Sequence, residues 1–248
     1  MVEGARLESV YTVKGIKGSN PFLSAKLWTN KKLTTIIFIV IKFFKKNKKN
    51  HFFLNDFLKD QVKLGHTIIG KWSYGNPAIY RWDASKLKIG NFCSFGPEVK
   101  IYIGGNHRSD WITTSPLPVD QFSNFFTNAS GVKNFTKEKK SLEIGSDVWV
   151  GGHSIILSGL KIGHGCVIGA GSVVRESLDP YSIAIGNPAK TIKKRFNEQV
   201  IQKLLQYPWW ELDDRKINIL APFLLQENFD LFFEKLILLK KQVLSPSR

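Results

Sequence analysis

Residues 144–174, IGSDVWVGGHSIILSGLKIGHGCVIGAGSVV, repeat with a period of six. An isoleucine or valine opens each hexad, at Ile144, Val150, Ile156, Ile162, Ile168 and Val174. The next residue is glycine in four of these six hexads. The fifth position is small or apolar, at Val148, Ser154, Leu160, Cys166, Ser172 and Leu178. A period of six is neither the 3.6-residue period of a helix nor the simple alternation of a strand.

This repeat predicts an all-β solenoid in which each hexad forms one short strand and one corner, and three hexads close a triangular coil. The first and fifth positions then point inward, and the glycine after the aliphatic residue allows corner dihedrals that a Cβ would hinder. Residues 89–101, IGNFCSFGPEVKI, have the same form. A right-handed parallel β-helix is the rival fold, although its coils are longer and less regular.

Composition narrows the classes of function. The chain has 248 residues, of which 43% are hydrophobic, and this is enough for one domain with small appendages. Cys93 and Cys166 both fall in the inward fifth position and are expected to be core residues. Because the cysteines and histidines show no paired ligand spacing, no metal site is expected. The net charge of +16 comes without a nucleic-acid-binding motif, which favours an anionic cofactor or membrane over nucleic acid.

Two segments precede the repeats. Residues 2–25 resemble a conceptual translation of a bacterial serine tRNA gene, so residues 1–25 are expected to be a non-native or unstructured extension. Residues 26–64 are basic and apolar, and their apolar run, residues 33–41, is far shorter than the roughly 20 residues needed to span a bilayer. It is expected to pack on the end of the solenoid in a cytoplasmic protein. The alternative is peripheral contact with the inner membrane face through the lysines of residues 42–49.

The repeats stop between residues 102 and 141, and we call this stretch the excursion. Irregular loops of this length in a compact solenoid tend to be functional. His107 lies at the start of the excursion and follows two glycines, Gly104 and Gly105. A lone loop histidine is more often a surface residue than a catalyst, but its position where the loop leaves the coil makes it the candidate catalytic residue.

The repeats end after Asp179-Pro180, and the exit carries a basic cluster at Lys190, Lys193, Lys194 and Arg195. We place the coil domain at residues 65–190. Leucines and phenylalanines recur at helical spacing in residues 191–248, which predicts C-terminal helices covering the open end of the solenoid.

Three stretches together carry a family resemblance: the hexads, GGNHRSDWITTSPL at residues 104–117, and IGNPAKTIKKRF at 185–196 followed by PWWELDDRKI at 208–217. Over about residues 65–220 the chain resembles the hexapeptide-repeat acyltransferases, and among them the xenobiotic (streptogramin and chloramphenicol) acetyltransferases. The resemblance implies a left-handed parallel β-helix and a homotrimer with active sites between subunits. One departure is Phe95, where relatives usually carry isoleucine.

The resemblance also implies an activity: transfer of acetyl from acetyl-coenzyme A (acetyl-CoA) to a hydroxyl of a small molecule or saccharide. It transfers the general-base role to His107. The resemblance further implies that acetyl-CoA binds to a second group of residues, namely Trp149, Gly151, Gly169, Ala170, Gly171, Gly186, Asn187, Pro188 and Lys190. N-acylation of an amino sugar, or a non-catalytic scaffold, remain the alternatives.

Overall fold

Three sheets of short strands form the core of the computed structural model, which describes residues 53–54, 58–119, 122, 124–136 and 141–241. Face 1 contains β1 (Thr67–Ile69), β3 (Leu87–Ile89), β6 (Leu142–Ile144) and β9 (Lys161–Ile162). Face 2 contains β4 (Ser94–Phe95), β7 (Trp149–Val150), β10 (Val167–Ile168), β12 (Ser182–Gly186) and β13 (Ala189–Lys194). Face 3 contains β2 (Ala78–Arg81), β5 (Lys100–Ile103), β8 (Ile155–Ile156) and β11 (Val173–Val174).

From β3 to β11 the chain visits the faces in the order 1, 2, 3, and each circuit adds one strand to every sheet. In the first and last circuits an isolated bridge replaces one strand, at Tyr74 on face 2 and at Leu178 on face 1. Neighbouring strands within a face are parallel, except that β13 folds back antiparallel on β12. The predicted parallel β-helix is therefore what the strand pairing shows.

Hexad side chains fill the interior as the period predicts. All six first-position aliphatics are buried, and so are Val148, Ser154, Cys166, Ser172 and Leu178 in the fifth position. Leu160 is only partly buried and packs against the same cluster. Phe95 takes the place of an aliphatic and is 4% exposed, so the larger side chain is accommodated in the core.

Within the described residues, four α-helices flank the coil: α1 (Lys59–Lys63), α2 (Glu198–Gln206), α3 (Asp214–Leu224) and α4 (Phe229–Lys241). The Asn197 side chain caps α2 and the Asp213 side chain caps α3, because each accepts a hydrogen bond from a backbone N–H in the first turn. The C-terminal helices form a second apolar cluster around Leu220 and Leu236. Helical structure was predicted from residue 191, whereas β13 runs to Lys194 and α2 begins at Glu198.

The predictions for residues 1–25, and for membrane contact through residues 42–49, lie outside the described residues. The same is true of most of residues 26–64. Among the helices that the structure does describe, none has the length and apolar character needed to cross a membrane.

Candidate active site

The excursion leaves face 3 through two glycines. Gly104 and Gly105 both have φ of +74°, a left-handed conformation that glycine adopts without strain. A Cβ on Gly105 would lie 2.9 Å from the indole ring of Trp82, so the backbone passes directly against that ring. Two residues later, His107 forms an isolated antiparallel bridge with Thr136 near the other end of the excursion. His107 is thereby held at the root of the loop.

The imidazole of His107 has a defined hydrogen bond. Its Nδ1 lies 2.7 Å from the backbone carbonyl oxygen of Thr114. A carbonyl oxygen can only accept, so this contact assigns the proton to Nδ1 and leaves the lone pair on Nε2. The side chain is exposed. The geometry therefore presents a hydrogen-bond acceptor nitrogen that can reach a substrate proton.

An ion pair between Arg108 and Asp110 stabilises the loop next to this histidine. The Arg108 guanidinium donates to both carboxylate oxygens of Asp110, at 2.8 and 2.6 Å. It also lies over the Trp111 ring, with its central carbon 5.1 Å from the ring centroid. A two-pronged contact fixes orientation as well as distance. The charged residues of the NHRSDW stretch, residues 106–111, therefore stabilise the conformation of the loop.

Face 2 carries the residues expected to bind a donor. Trp149 points outward from β7 and is 58% exposed, between Ser94 of β4 and Val167 of β10. Its neighbours Val148 and Val150 point inward and are buried. The alternation of the strand therefore places an indole ring on the outer surface of face 2.

Glycines line the corner between faces 2 and 3. A Cβ on Gly151 would lie 2.5 Å from the Ala170 backbone nitrogen of the next coil, and one on Gly169 would lie 2.8 Å from the side chain of Ile185. Successive coils are hydrogen-bonded here, since the Gly151 N–H donates to Ile168 and the Gly169 N–H donates to Ala184. Close stacking therefore requires glycine at both positions and leaves bare backbone on this corner.

Gly171 and the exposed Ala170 continue the same corner. Gly171 has φ of +70°, and no atom lies within 4 Å of where its Cβ would be. Its N–H donates to the Gly152 carbonyl at 2.9 Å. Unlike Gly151, Gly171 faces open space, so the corner has room for a bound molecule.

The exit hairpin forms the end of face 2. Gly186 closes β12 with φ of +108°, and the Asn187–Pro188 peptide is cis. Lys190 of β13 forms an ion pair with Glu176, with its Nζ 2.9 and 3.0 Å from the two carboxylate oxygens. Lys190 is 61% exposed, so its ammonium group remains accessible from solvent.

Within a single chain the proposed donor-binding residues lie together on face 2, but His107 lies at a different corner of the coil. Trp149, the corner glycines and the hairpin share face 2 and its corner with face 3. The excursion with His107 leaves at the opposite edge of face 3, where β5 ends and the chain turns toward face 1. A whole face therefore separates the two groups within one coil.

The sequence reasoning missed a group of stacked aromatic rings on face 3, which we call the aromatic platform: Tyr80, Trp82 and Tyr102. Tyr80 and Tyr102 are paired across β2 and β5 with ring centroids 5.0 Å apart. Trp82 stacks 5.7 Å from Tyr102 and is 58% exposed. The signal in the sequence is the alternation of Tyr80 and Trp82, on β2 and directly after it, which predicts that both point outward.

Neither cysteine is placed to act as a nucleophile. Burial raises the pKa of Cys93 to about 12 and that of Cys166 to about 11. Their thiols donate to the carbonyl oxygens of Gly145 and Asp179 at 3.0 and 3.1 Å. Across the part of the chain that the structure describes, no group of three or more histidine, cysteine or acidic side chains could hold a metal ion.

Comparison with known proteins places these features in a family. The family model of the bacterial transferase hexapeptide (six repeats) matches residues 142–176. A chloramphenicol acetyltransferase of Klebsiella aerogenes is 36% identical over 71% of this chain and 90% of its own length. A virginiamycin A acetyltransferase of Staphylococcus aureus is 34% identical over 72% of this chain and 86% of its own length.

Among solved structures, a hexapeptide-repeat acetyltransferase of Vibrio cholerae in complex with acetyl-CoA superposes with a TM-score of 0.41 at 23% identity. The match covers 53% of this chain and 62% of that chain.

Proposed function

This chain belongs to the xenobiotic acetyltransferase family of hexapeptide-repeat transferases, and we propose that His107 is the general base of its reaction. The activity is acetyl-CoA-dependent O-acetylation: the acetyl group moves from the coenzyme to a hydroxyl of a small-molecule or saccharide acceptor. The Nδ1 contact of His107 with Thr114 carries the assignment, because it leaves Nε2 free to take a proton.

The reaction requires that proton transfer. As the acceptor oxygen attacks the thioester carbon, its O–H bond breaks and the proton passes to Nε2 of His107. Collapse of the tetrahedral intermediate breaks the carbon–sulfur bond, and the proton returns to the departing thiolate of coenzyme A. General-base catalysis of this kind contributes roughly 10²–10⁴-fold to the rate.

We propose direct transfer within a ternary complex. An acetyl-cysteine intermediate would need a thiolate, and the raised pKa values of Cys93 and Cys166 keep both buried thiols protonated at neutral pH. Neither cysteine lies on the outer face that carries Trp149, since both point into the core. With no cysteine available to carry the acetyl group, we assign direct transfer from acetyl-CoA to an acceptor bound beside it.

The donor groove is assigned to the outer side of face 2. The glycines at 151, 169 and 171 and the small Ala170 keep this corner free of bulky side chains, which allows an extended pantetheine arm to lie against it with the Trp149 ring beside it. The hairpin residues Gly186, Asn187 and Pro188 continue this line toward Lys190. An anionic phosphate would compete with Glu176 for the exposed ammonium of Lys190.

We propose that the site is completed by a second copy of the chain in a homotrimer of left-handed β-helices. His107 and the donor groove lie at opposite edges of face 3, so one chain cannot assemble them. The excursion also presents exposed apolar side chains, since Phe125 is 81% exposed and Ile112 is fully exposed. Trp111, Phe122, Phe126 and Val132 of the same excursion are exposed as well. So many exposed large apolar side chains within one loop are typical of an interaction surface.

The aromatic platform is assigned to the acceptor. Trp82 lies against Gly105, two residues before His107, so a ring stacked on the platform would be close to the proposed base. Stacked aromatic rings bind flat apolar faces, which aromatic drugs and sugar rings both offer.

The experiment is an acceptor panel with acetyl-CoA, in which release of coenzyme A thiol is measured and the product is identified by mass spectrometry. Matched amino and hydroxy forms of each acceptor separate O-acylation from N-acylation. Ester products only on hydroxy acceptors are expected. Faster transfer to the amino forms would contradict the proposal, and an absence of transfer to every acceptor would favour a scaffold.

A further inference from the structure

The corner between β2 and β3, residues 82–86, contacts both ends of the excursion. At the start of the excursion, the Asp83 carboxylate packs directly against Gly104. At its far end, the Lys86 N–H donates a hydrogen bond to the Ser141 hydroxyl at 3.2 Å. This corner, which we call the 82–86 corner, is therefore the part of the coil on which the two ends of the loop rest.

Asp83 has a fixed position within the 82–86 corner. Its Oδ1 accepts a hydrogen bond from the Ser85 N–H at 2.7 Å, in the turn that an aspartate side chain forms with the backbone two residues further on. Arg81 holds the corner from the coil side, because its guanidinium donates to the Ser85 carbonyl and, at 2.9 Å, to the Thr67 hydroxyl. The half-buried Asp83 side chain is thus held in one orientation.

The Asp83 carboxylate fills the space that a side chain at position 104 would take. A Cβ on Gly104 would collide with Oδ2 of Asp83, just as one on Gly105 would meet the Trp82 indole. Directly before these glycines, the Trp82 N–H donates to the Ile103 carbonyl at 3.0 Å. Two consecutive glycines have wide backbone freedom, so their conformation has to be imposed by the groups that pack on them.

His107 lies two residues beyond this pair of glycines. Its ring contacts the Thr114 carbonyl and its backbone bridges to Thr136, but both partners belong to the excursion itself. These contacts orient the imidazole within the loop and leave open how the loop is oriented relative to the coil. The packing of the 82–86 corner against Gly104 and Gly105 supplies that second orientation.

We propose that Asp83 is a positioning residue for acetyl transfer: its carboxylate holds Gly104 in the left-handed conformation and thereby directs the His107 imidazole toward the acceptor. This inference rests on the proposed role of His107 as the general base. Asp83 acts through the backbone of the loop and takes no part in the proton transfer. Since a displacement of about 1 Å can cost roughly 10²-fold in rate, loss of this support should lower kcat by about tenfold.

The test compares three variants of the full chain by steady-state kinetics and by amide hydrogen exchange of residues 103–117. Asp83→Ala should lower kcat by about tenfold, leave the KM for acetyl-CoA unchanged and speed exchange in this segment. Asp83→Asn keeps the size and the acceptor oxygen, so it should behave like the wild type. Glu143→Ala is the matched control, because it removes an exposed carboxylate from β6 on face 1.

A double-mutant cycle with His107→Ala then tests whether Asp83 acts through the histidine. Once the imidazole is absent, Asp83→Ala should not lower the residual rate further. Effects that multiply would show that Asp83 acts independently of His107, and this would overturn the inference.

The remaining outcomes separate this inference from the base assignment. If His107→Ala loses rate while Asp83→Ala keeps its kcat or its slow exchange, the inference fails and the general base stands. If His107→Ala keeps full activity, both fail. Should Asp83→Ala not fold, Asp83→Ser replaces it with the same expected outcomes, because its shorter side chain can still accept from the Ser85 N–H.

Discussion

The Nδ1 atom of His107 lies 2.7 Å from the backbone carbonyl oxygen of Thr114, seven residues further along the excursion, and this contact fixes the orientation of the imidazole ring. Because the partner is a main-chain atom, no substitution at position 114 removes the acceptor, apart from changes that move the backbone. The proton on Nδ1 and the free lone pair on Nε2 are thus set by the path of the loop. Catalysis should depend on the imidazole itself more than on any neighbouring side chain.

His107→Ala should therefore lower kcat by roughly 10²–10⁴-fold while leaving the KM for acetyl-CoA nearly unchanged, because it removes only the base. Steady-state release of coenzyme A thiol measures both constants. His153→Asn is the control, since His153 is another exposed histidine and has φ of +59°, a conformation that asparagine tolerates. Equal activity in the wild type and His107→Ala would contradict the assignment of His107 as the general base.

Substitutions at Gly151 and Gly171 should separate an effect on folding from an effect on donor binding. Gly151→Ala forces a Cβ to within 2.5 Å of a backbone nitrogen and should destabilise the chain by about 1–3 kcal/mol in urea unfolding. Gly171→Asn keeps a tolerable left-handed residue in open space, so the free energy of unfolding should change little. Its side chain would instead enter the proposed donor groove and raise the KM for acetyl-CoA. An unchanged KM in Gly171→Asn would place the donor elsewhere.

The fold could be predicted from the sequence because its cause is local and repeated. The coils reuse an inward apolar first residue and a small or apolar fifth residue, so the period alone indicates three-strand coils. The strand at Ala189–Lys194 could not be predicted in this way. Its basic residues resemble a solvated helix start, and its pairing with β12 depends on the turn at Gly186.

The site was harder to predict than the fold. His107 is proposed as a site residue from its position in the loop, but its placement relative to the proposed donor groove depends on which corner each segment occupies, and this requires the order of the faces. The aromatic platform depends on the pairing of Tyr80 with Tyr102 across two strands. That register is set by a corner between residues 81 and 87 that has no hexad pattern.

The aromatic platform predicts a change in acceptor selectivity. Trp82→Ala should raise the KM for acceptors with an aromatic or sugar ring by several-fold, because stacking contributes about 0.5–1.5 kcal/mol beyond burial. The KM for a short aliphatic alcohol should stay the same, and so should that for acetyl-CoA. Kinetics with paired ring and aliphatic acceptors measure the difference. A uniform change for both acceptor classes would indicate a structural role for Trp82.

Asp147 should make stability depend on pH in an unusual direction. Burial raises the pKa of its carboxyl above the ordinary value of 3.8, although the Arg195 cation opposes this shift. The folded state then binds a proton more readily than the unfolded state between 3.8 and the raised pKa, so this residue favours folding more as the pH falls through that window. Asp147→Asn should remove the effect.

Urea unfolding of the wild type and Asp147→Asn from pH 7 to pH 4 measures this contribution. The free energy of unfolding of the wild type, relative to the variant, should increase as the pH is lowered. The opposite trend would mean that Arg195 dominates the pKa of Asp147, with its carboxyl more acidic in the folded state.

Mixing two inactive variants tests whether neighbouring chains share a site. His107→Ala lacks the proposed base, and a variant with Trp149→Ala and Gly171→Trp should lack a usable donor groove. If His107 of one chain serves the groove of the next, a mixed trimer contains at least one interface with an intact base and an intact groove. Co-refolding the two variants should therefore restore part of the wild-type rate, whereas each variant alone stays inactive. If the two variants carry different affinity tags, trimers retained on both resins in sequence are mixed. Lack of recovery in these trimers would mean that base and groove come from the same chain, because every chain in such a trimer carries one defect.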